Sequence, residues 1–351
     1  MKTKPVIGVM MFLLAPLEQD EFLQDLEYEV VVFTPWSAKW SERKVNGLLL
    51  RDGSWEETVS PFPGAVYNRC YTGDGKYARL VAKLIGEKNV FNHITRFDKW
   101  DVYRFLAQTE LKRYLPLTWV YRQELLPVLL ERHRILVLKP AVGHYGQNVF
   151  RLEKKAAGKY HIYNGYAWPL LANANEAEIL SFLAEITGRK SFLLQQFIPF
   201  AEVNRRLFEL RLYVQKDGLG KWTVSAAVGR VAASGFWVAN FAAKVCRADA
   251  ILAEAGFSAK LAEIKAAGIK TAAVLEAQLG SLGEISVDFG IGADGRIWIV
   301  EVNGLPVKSC LSEVEDMELE KRVYLQPFRY AAFLLQKKSA KPPLYKALRE
   351  R

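Results

Sequence analysis

The sequence predicts an α/β protein of two or three packed lobes, and three observations support this fold class. Half of the 351 residues are hydrophobic and a quarter are charged, which is typical of a globular chain with more than one core. Short apolar segments alternate with helix-like segments over the first 90 residues, as in a parallel α/β sheet. Beyond them, two segments have the pattern of antiparallel hairpins, at 208–231 and 284–303.

The first 90 residues predict a parallel sheet with intervening helices. Strands are expected at 6–13, 29–33, 47–50 and 65–68, with a helix at 17–26. The apolar start also resembles a secretory h-region, but Pro16 follows Ala15 and no small-residue cleavage site is present. We therefore interpret it as a buried first strand. The segment contains no Gly-x-Gly-x-x-Gly turn, so it does not predict a dinucleotide-binding domain.

The charge and the cysteine content limit the ligands and the cellular compartment that the sequence predicts. Forty-eight Lys and Arg against 38 Asp and Glu give a net charge of +10, and this distributed excess suits anionic ligands. Basic residues concentrate only in the tail, 337–351, and outside it there is no clustered basic face with interleaved aromatics, which nucleic-acid binding requires. Cys70, Cys246 and Cys310 are too far apart for a metal site and predict a reducing cytoplasm. We expect neither a nucleic-acid partner nor a membrane partner, since no apolar run reaches ~18 residues.

The second hairpin predicts two opposed carboxylates. Asp294-Gly295 is the preferred pair for a two-residue type I′ turn, because both central residues need positive φ. Counting back from that turn places Asp288 directly opposite Glu301. Like charges in this arrangement destabilise a sheet. A Mg²⁺ ion would reverse the effect, since it takes carboxylate oxygens together with substrate phosphates.

The same register extends the polar face. Ser286 lies opposite Asn303, on the face that carries both acids. The alternative to a metal site is a solvated polar face, but the apolar Ile297 and Ile299 beside Glu301 disfavour it. The prediction depends on register, because a three-residue turn would place the acids on other pairings.

A lysine followed by a glycine loop predicts phosphate contacts. Lys139 ends the apolar strand 135–139, and the loop beyond Pro140 contains Gly143 and Gly146. Glycine lets backbone N–H groups approach phosphate oxygens closely. The alternative is that a lysine at a strand end is simply exposed to solvent. The same two interpretations, phosphate contact or solvent exposure, apply to His144 in the loop. The loop lacks the Walker spacing, which excludes a standard P-loop.

The first hairpin adds two cations. If 217–220 forms a four-residue loop, Arg230 points to the same face as Arg211, and two such arginines can grip phosphate. The alternative is an outer face with surface ion pairs. Upstream, Gln195 and Gln196 end a strand before Phe197 and Ile198, where an amide and backbone groups could read an adenine edge. An ordinary strand end is the alternative there.

Taken in order, these residues resemble the ATP-grasp superfamily. Lys99 on a helix, Lys139, the run 195–198, Arg211 and the ending Asp288…Glu301-x-Asn303 carry that resemblance. Three segments resemble the YheC/YheD-type, spore-coat-associated ATP-grasp proteins, and they are 97–106, 208–222 and 288–306. The resemblance covers about residues 90–335. It implies an ATP-grasp domain at 91–336, with a small lobe at about 110–195 and a large lobe at 196–336. A pre-ATP-grasp α/β domain would occupy 1–90, and 337–351 would be a basic tail.

The resemblance also implies the cofactors, ATP and Mg²⁺, and a role for each site residue. Lys99 and Lys139 would contact the phosphates of ATP. Gln195 and Gln196, with the backbone at Phe197 and Ile198, would hold adenine, and either Glu202 or Glu209 would hold the ribose. Arg211, Arg230 and Lys139 would stabilise the transferred phosphoryl group, and Asp288, Glu301 and Asn303 would bind two Mg²⁺.

The implied activity is ligation of a carboxylate to an amine through an acylphosphate, with ATP and both substrates as partners. One departure from the family pattern concerns turnover. Asn240 is kept, but Ala242-Ala243 stands where a Gly-Gly pair is expected. A degenerate, structural ATP-grasp protein of the spore coat, with spore-layer proteins as partners, is the alternative. The expected location is cytoplasmic, with spore association implied by the resemblance alone.

Overall fold

The computed structural model describes residues 4–24, 26–143, 146–239 and 242–339, which form three β-sheets and the helices that cover them. Each sheet is built mainly from one stretch of the chain, so the three sheets follow one another in sequence. Among the described residues, no helix is both long and apolar enough to cross a membrane.

The first sheet has the strand order β4-β3-β2-β1-β5-β6. Strands β1, β2, β5 and β6 are parallel, as the apolar runs predicted, and β3 and β4 add an antiparallel hairpin at one edge. Helix α1 packs on the sheet. The bounds are β1 Val6–Met10, β2 Glu29–Lys39, β3 Lys44–Arg51, β4 Ser54–Pro61, β5 Ala65–Asn68, β6 Val90–Phe91 and α1 Lys76–Ile85.

One expectation for this region is wrong, and one strand was missed. The helix expected at 17–26 is only a short 3₁₀ turn, Asp20–Leu23, preceded by Gln19 in a left-handed conformation. Strand β4 was not predicted, because its alternating polar residues pair only with β3 and form the sheet edge. The predicted domain boundary at residue 90 falls inside β6.

The second sheet is wholly antiparallel, with the order β11-β10-β9-β8-β12-β7. Two helices, α3 and α4, bury their apolar faces against it, and Asn175 and Glu178 form a capping box that begins α4. The bounds are β7 Thr118–Val120, β8 Ile135–Pro140, β9 Phe150–Lys154, β10 Tyr160–Asn164, β11 Leu171–Ala174, β12 Phe192–Gln196, α3 Leu125–His133 and α4 Glu176–Thr187.

The third sheet contains both predicted hairpins, in the order β16-β15-β14-β17-β18, with β13 paired to β14. Helices α2, α5 and α6 cover its apolar face and enclose the largest core, where Gly268 of α6 lets that helix approach Leu212. The bounds are β13 Glu202–Val203, β14 Arg206–Lys216, β15 Trp222–Ala232, β16 Ala242–Arg247, β17 Glu284–Ile291, β18 Ile297–Asn303, α2 Lys99–Ala107, α5 Ala248–Glu254 and α6 Leu261–Leu279.

The last helix joins the end of the chain to its beginning. Helix α7, Met317–Ser339, packs Leu325, Phe328 and Leu334 into the core of the first sheet, although it follows the third sheet in sequence. Most of the predicted basic tail lies beyond it, outside the described residues.

Candidate functional site

The second hairpin brings the two predicted acids together. Asp288 lies opposite Glu301 and Ser286 lies opposite Asn303, as predicted. The predicted two-residue turn is wrong, because the loop spans the five residues 292–296. A β-bulge between Asp288 and Phe289 restores the register, since it leaves Val300 of β18 as an extra residue.

The bulge also decides which face each side chain takes. Ile297 and Ile299, before the bulge, and Val302, after it, all lie in the apolar core. A regular strand would put Ile299 and Glu301 on one face. The extra residue therefore lets β18 bury its apolar side chains while Glu301 reaches the polar face.

The first hairpin shows the same compensation. Its loop spans five residues, 217–221, instead of the predicted four, and a register shift follows between Tyr213 and Val214. Arg230 consequently lies opposite Glu209, on the face that also carries Arg211.

Both arginines bind the buried carboxylate of Asp288. Arg211 donates two hydrogen bonds to it, from Nε to Oδ1 and from Nη2 to Oδ2, each 2.8 Å long. Arg230 donates from Nη2 to Oδ2 of Asp288 at 3.3 Å and to Oε2 of Glu209 at 3.0 Å. Burial alone would raise the pKa of Asp288, but the two guanidinium groups hold it below its usual value. Burial does raise the pKa of Glu209, against the attraction of Arg230.

Lys139 reaches the same face from the second sheet. Its Nζ donates to Oε1 of Gln195 at 2.9 Å and to the carbonyl of the bulged residue Val300 at 3.4 Å. Burial lowers the pKa of Lys139 to about 8, although Glu301 raises it. The lysine is thus largely charged at neutral pH and close to titration.

Lys99, the first residue of α2, also lies at this site. Asp98 caps the helix by accepting a hydrogen bond from the backbone N–H of Trp100. Nζ of Lys99 lies 3.1 Å from Oε1 of Glu301 and donates to the carbonyl of Gly143 at 3.0 Å. The predicted glycine loop therefore contacts the predicted lysine directly. His144 lies outside the described residues.

A cleft between the second and third sheets is lined by several of these groups, whereas the predicted site residues Arg211, Arg230 and Asn303 are not among its lining residues. It is lined by Lys99, Lys139, Glu209, Asp288, Glu301 and the hinge residues Gln195, Gln196, Phe197 and Ile198. Gln195 has a further function that the sequence did not indicate: its Nε2 donates to Oγ1 of Thr118 at 2.9 Å, so both ends of its amide are engaged in holding Lys139. Phe200 and Trp237 also line the cleft and were not predicted.

Glu202 is not brought to this cleft. It is exposed on the two-residue strand β13, where it pairs with Leu207 and does not line the cavity. Of the two predicted ribose candidates, only Glu209 lines the cleft. Ala242 and Ala243 begin strand β16, and Asn240 lies outside the described residues.

The site has a small net positive charge, which suits an anionic ligand that brings its metal ions with it. Lys99, Lys139, Arg211 and Arg230 face only three carboxylates, so the group has a net charge of +1. Asp288 and Glu301 already bind protein cations, and the described residues include no cluster of three or more His, Cys, Asp or Glu at metal-binding spacing. The oxygen donors Asp288, Glu301 and Asn303 nevertheless fit Mg²⁺, and the buried hydroxyl of Ser286 beside them has no partner.

Residues 87–334 match the model of the YheC/D-like ATP-grasp family. The chain belongs to this family. It is 26% identical over 326 residues to the endospore coat-associated protein YheD of Bacillus subtilis (strain 168), a match that covers 89% of this chain and 72% of YheD. It is 25% identical over 330 residues to the endospore coat-associated protein YheC of the same strain, covering 88% of this chain and 89% of YheC.

Solved structures support the fold independently. The ATP-grasp ligase PsnB, solved with a minimal precursor, Mg and ADP, superposes with a TM-score of 0.54 at 15% identity. The match covers 92% of this chain and 98% of PsnB. At this identity the likeness concerns the fold alone, and it confirms the ATP-grasp fold of the YheC/D-like chain.

Proposed function

We propose that the cleft binds MgATP and that the protein joins a carboxylate to an amine. The observation that carries the proposal is a row of charged side chains. Lys99, Lys139, Asp288 and Glu301 line the cleft, and Arg211 and Arg230 contact Asp288 on the same sheet face. A polyphosphate is the ligand that such a cationic row with two opposed carboxylates would accept. PsnB, of the same fold, was solved with Mg and ADP.

Each part of the cleft would contact a different part of ATP. Phe197, Ile198 and Trp237 form the apolar part of the cleft, where an adenine would pack, and Glu209 lies where a ribose hydroxyl could donate to it. Lys99 and Lys139 would donate to phosphate oxygens. Bound Mg²⁺, held by Asp288, Glu301 and Asn303, would supply charge neutralisation at those oxygens.

The reaction would proceed in two steps. A carboxylate oxygen of the substrate attacks the γ-phosphorus, and the bond to the ADP oxygen breaks. Lys139, Arg211 and Arg230 would offset the negative charge as it moves onto the equatorial oxygens. An amine then attacks the acyl carbon of the acylphosphate, phosphate leaves, and the amine loses a proton. No protein nucleophile takes part.

The proposal is tested by thermal stabilisation with ATP, with and without Mg²⁺. A ligand at about 100 times its Kd stabilises the folded state by ~2.7 kcal/mol. We expect a Mg²⁺-dependent rise in Tm that Glu301→Gln weakens and that the matched control Glu202→Gln, outside the cleft, leaves unchanged. No shift with millimolar nucleotide would refute the proposal, as would equal shifts in both variants.

A second candidate is a structural protein of a spore layer that binds ATP without turnover. It is favoured by the coat-associated relatives and by Ala242-Ala243 in β16. Phosphate release in a screen of carboxylate and amine pairs decides between the two. Release that needs both substrates supports the ligase, whereas nucleotide binding without release under any pair supports the structural protein.

A further inference from the structure

A groove separate from the cleft lies beside the hinge between the second and third sheets. Its volume is about 660 Å³, and among the described residues only Gln196 lines both the groove and the cleft. Binding pockets commonly have volumes of ~300–1,000 Å³. The apolar part of the lining is Tyr103 on α2, Leu115 and Leu117 before β7, and Trp298 on β18. Leu117 is 47% exposed, so this apolar surface is not fully covered within the folded chain.

Three cations line the same groove without a carboxylate partner. Lys112, Arg113 and Arg296 form no ion pair among the described residues. Glu110 is the only acid among the described residues of the lining, so the lining has a net charge of +2. The Glu110 carboxylate is exposed and lies 3.0 Å from Nζ of Lys270, and solvent screens its attraction to Arg113. The groove therefore has an excess of positive charge beside an apolar surface.

Arg296 is the cation best placed to receive a carboxylate. Its guanidinium carbon lies 4.3 Å from the centroid of the Trp298 ring, and Trp298 is almost completely buried. Nη2 of Arg296 donates to the carbonyl of Arg113 at 2.8 Å, whereas Nε and Nη1 have no acceptor among the described residues. Asp294 accepts from the backbone N–H of Arg296 at 3.0 Å, but it does not line the groove. Trp298 and Arg113 thus hold the guanidinium while leaving donors for a carboxylate.

The charge of the chain disfavours occupation of the groove by the protein itself. The segment 340–351 has four basic residues and one acidic residue, and the whole chain has a net charge of +10. A basic groove therefore repels both this segment and a second copy of the chain. Tyrosine, tryptophan and arginine are the side chains enriched where proteins contact one another. Tyr103, Trp298 and Arg296 place all three types in one groove.

We propose that the groove docks a short acidic segment of a partner protein, with one leucine or aromatic side chain among its carboxylates. The carboxylates contact Arg296 and Lys112, and the apolar side chain packs against Trp298 and Leu117. Leu117 leads into the second sheet and Arg296 into the third, so the bound segment contacts both sheets beside the hinge. The proposal does not depend on nucleotide binding.

A phage library of short random peptides, selected on the full chain, tests the groove. We expect the enriched sequences to combine a net negative charge with a leucine or an aromatic residue. Synthetic copies are then titrated by fluorescence anisotropy against the wild type and variants. Lys112→Glu should raise the Kd about tenfold or more, because it places like charges together. Arg296→Gln should raise it about tenfold, because charge-assisted hydrogen bonds are lost.

Lys39→Glu is the matched control. Lys39 and Lys112 are both exposed, and Lys39 lies on β2 of the first sheet, so the two variants have equal net charge. The control should bind the peptides as the wild type does. Equal Kd values for the two variants overturn the proposal, because attraction to the overall charge of the chain would then explain the binding.

The selection and a competition experiment supply two further outcomes. Enrichment of no sequence, or only of sequences without acidic residues, overturns the proposal. Displacement of the peptides by saturating MgADP, with an unchanged Kd in Arg296→Gln, assigns them to the nucleotide cleft and also overturns it. Should Arg296→Gln not fold, Lys112→Glu decides, because the side chain of Lys112 forms no ion pair or hydrogen bond among the described residues.

Discussion

The protonation of Lys139 should control how nucleotide affinity varies with pH. Its pKa is lowered to about 8 by burial, and phosphate oxygens require the charged form. With that pKa, the protonated fraction falls from about 0.9 at pH 7 to about 0.1 at pH 9. Affinity is present below the pKa and lost above it, so the Kd for MgATP should rise about tenfold over this range, or ~1.4 kcal/mol.

The assay is calorimetric titration with a non-hydrolysable ATP analogue and Mg²⁺ at pH 7, 8 and 9. Lys139→Arg is the matched control, because a guanidinium stays protonated throughout and its Kd should not show the Lys139-dependent loss. The ratio of the two Kd values removes the titration of the nucleotide itself. The assignment of Lys139 as a phosphate contact would be refuted if the affinity for the analogue fell equally in both proteins as the pH rises. It would also be refuted if the affinity of the wild type did not change with pH.

Three further substitutions test the packing and ion pairs by chemical denaturation. Asp288→Asn leaves the buried Arg211 without its carboxylate partner and Arg230 with Glu209 alone. It should lower the free energy of unfolding by about 3–5 kcal/mol, whereas a loss below ~1 kcal/mol would contradict the buried network. Gly290→Ala would place a Cβ 2.3 Å from the ring of Phe200 and should cost about 1–3 kcal/mol; Gly143→Ala, with its nearest atom at 3.4 Å, is the control and should cost clearly less. Leu212→Ala removes a fully buried side chain from the main core and should cost about 2–5 kcal/mol, and a neutral result would show that helix α6 does not pack there as described.

The sequence predicted which charged side chains of the third sheet share a face, but it did not predict the lengths of the loops between the strands. Asp288 and Glu301 were placed opposite each other from a two-residue turn, but a five-residue loop and a bulge produce the same pairing. Arg211 and Arg230 share a face through a similar combination. Alternation of polar and apolar residues reports which side chains must be buried, and bulges adjust the backbone to that demand. The turn motif alone carries less information.

Contacts between distant segments were beyond sequence reasoning. Gln195 was predicted to contact adenine, and nothing in the sequence indicated that its amide also links Lys139 to Thr118. The buried contacts of Glu284 with Tyr67 and Lys308 gave no signal, because residues of the first sheet and of the third meet only after the chain has folded. Spacing rules describe neighbours on one helix or one hairpin. They do not describe a cluster assembled from three elements.

Helix α7 has a consequence for how the chain is made. One face of the first sheet is covered by Leu325, Phe328 and Leu334, yet its last strand ends at Phe91. A ribosome adding 5–20 residues per second needs roughly 10–45 s to reach the helix after that strand is complete. During this interval the apolar side chains of β1 and β5 have no final cover. The nascent first domain is therefore a natural substrate for chaperones, and any premature stop before residue 317 leaves that face bare.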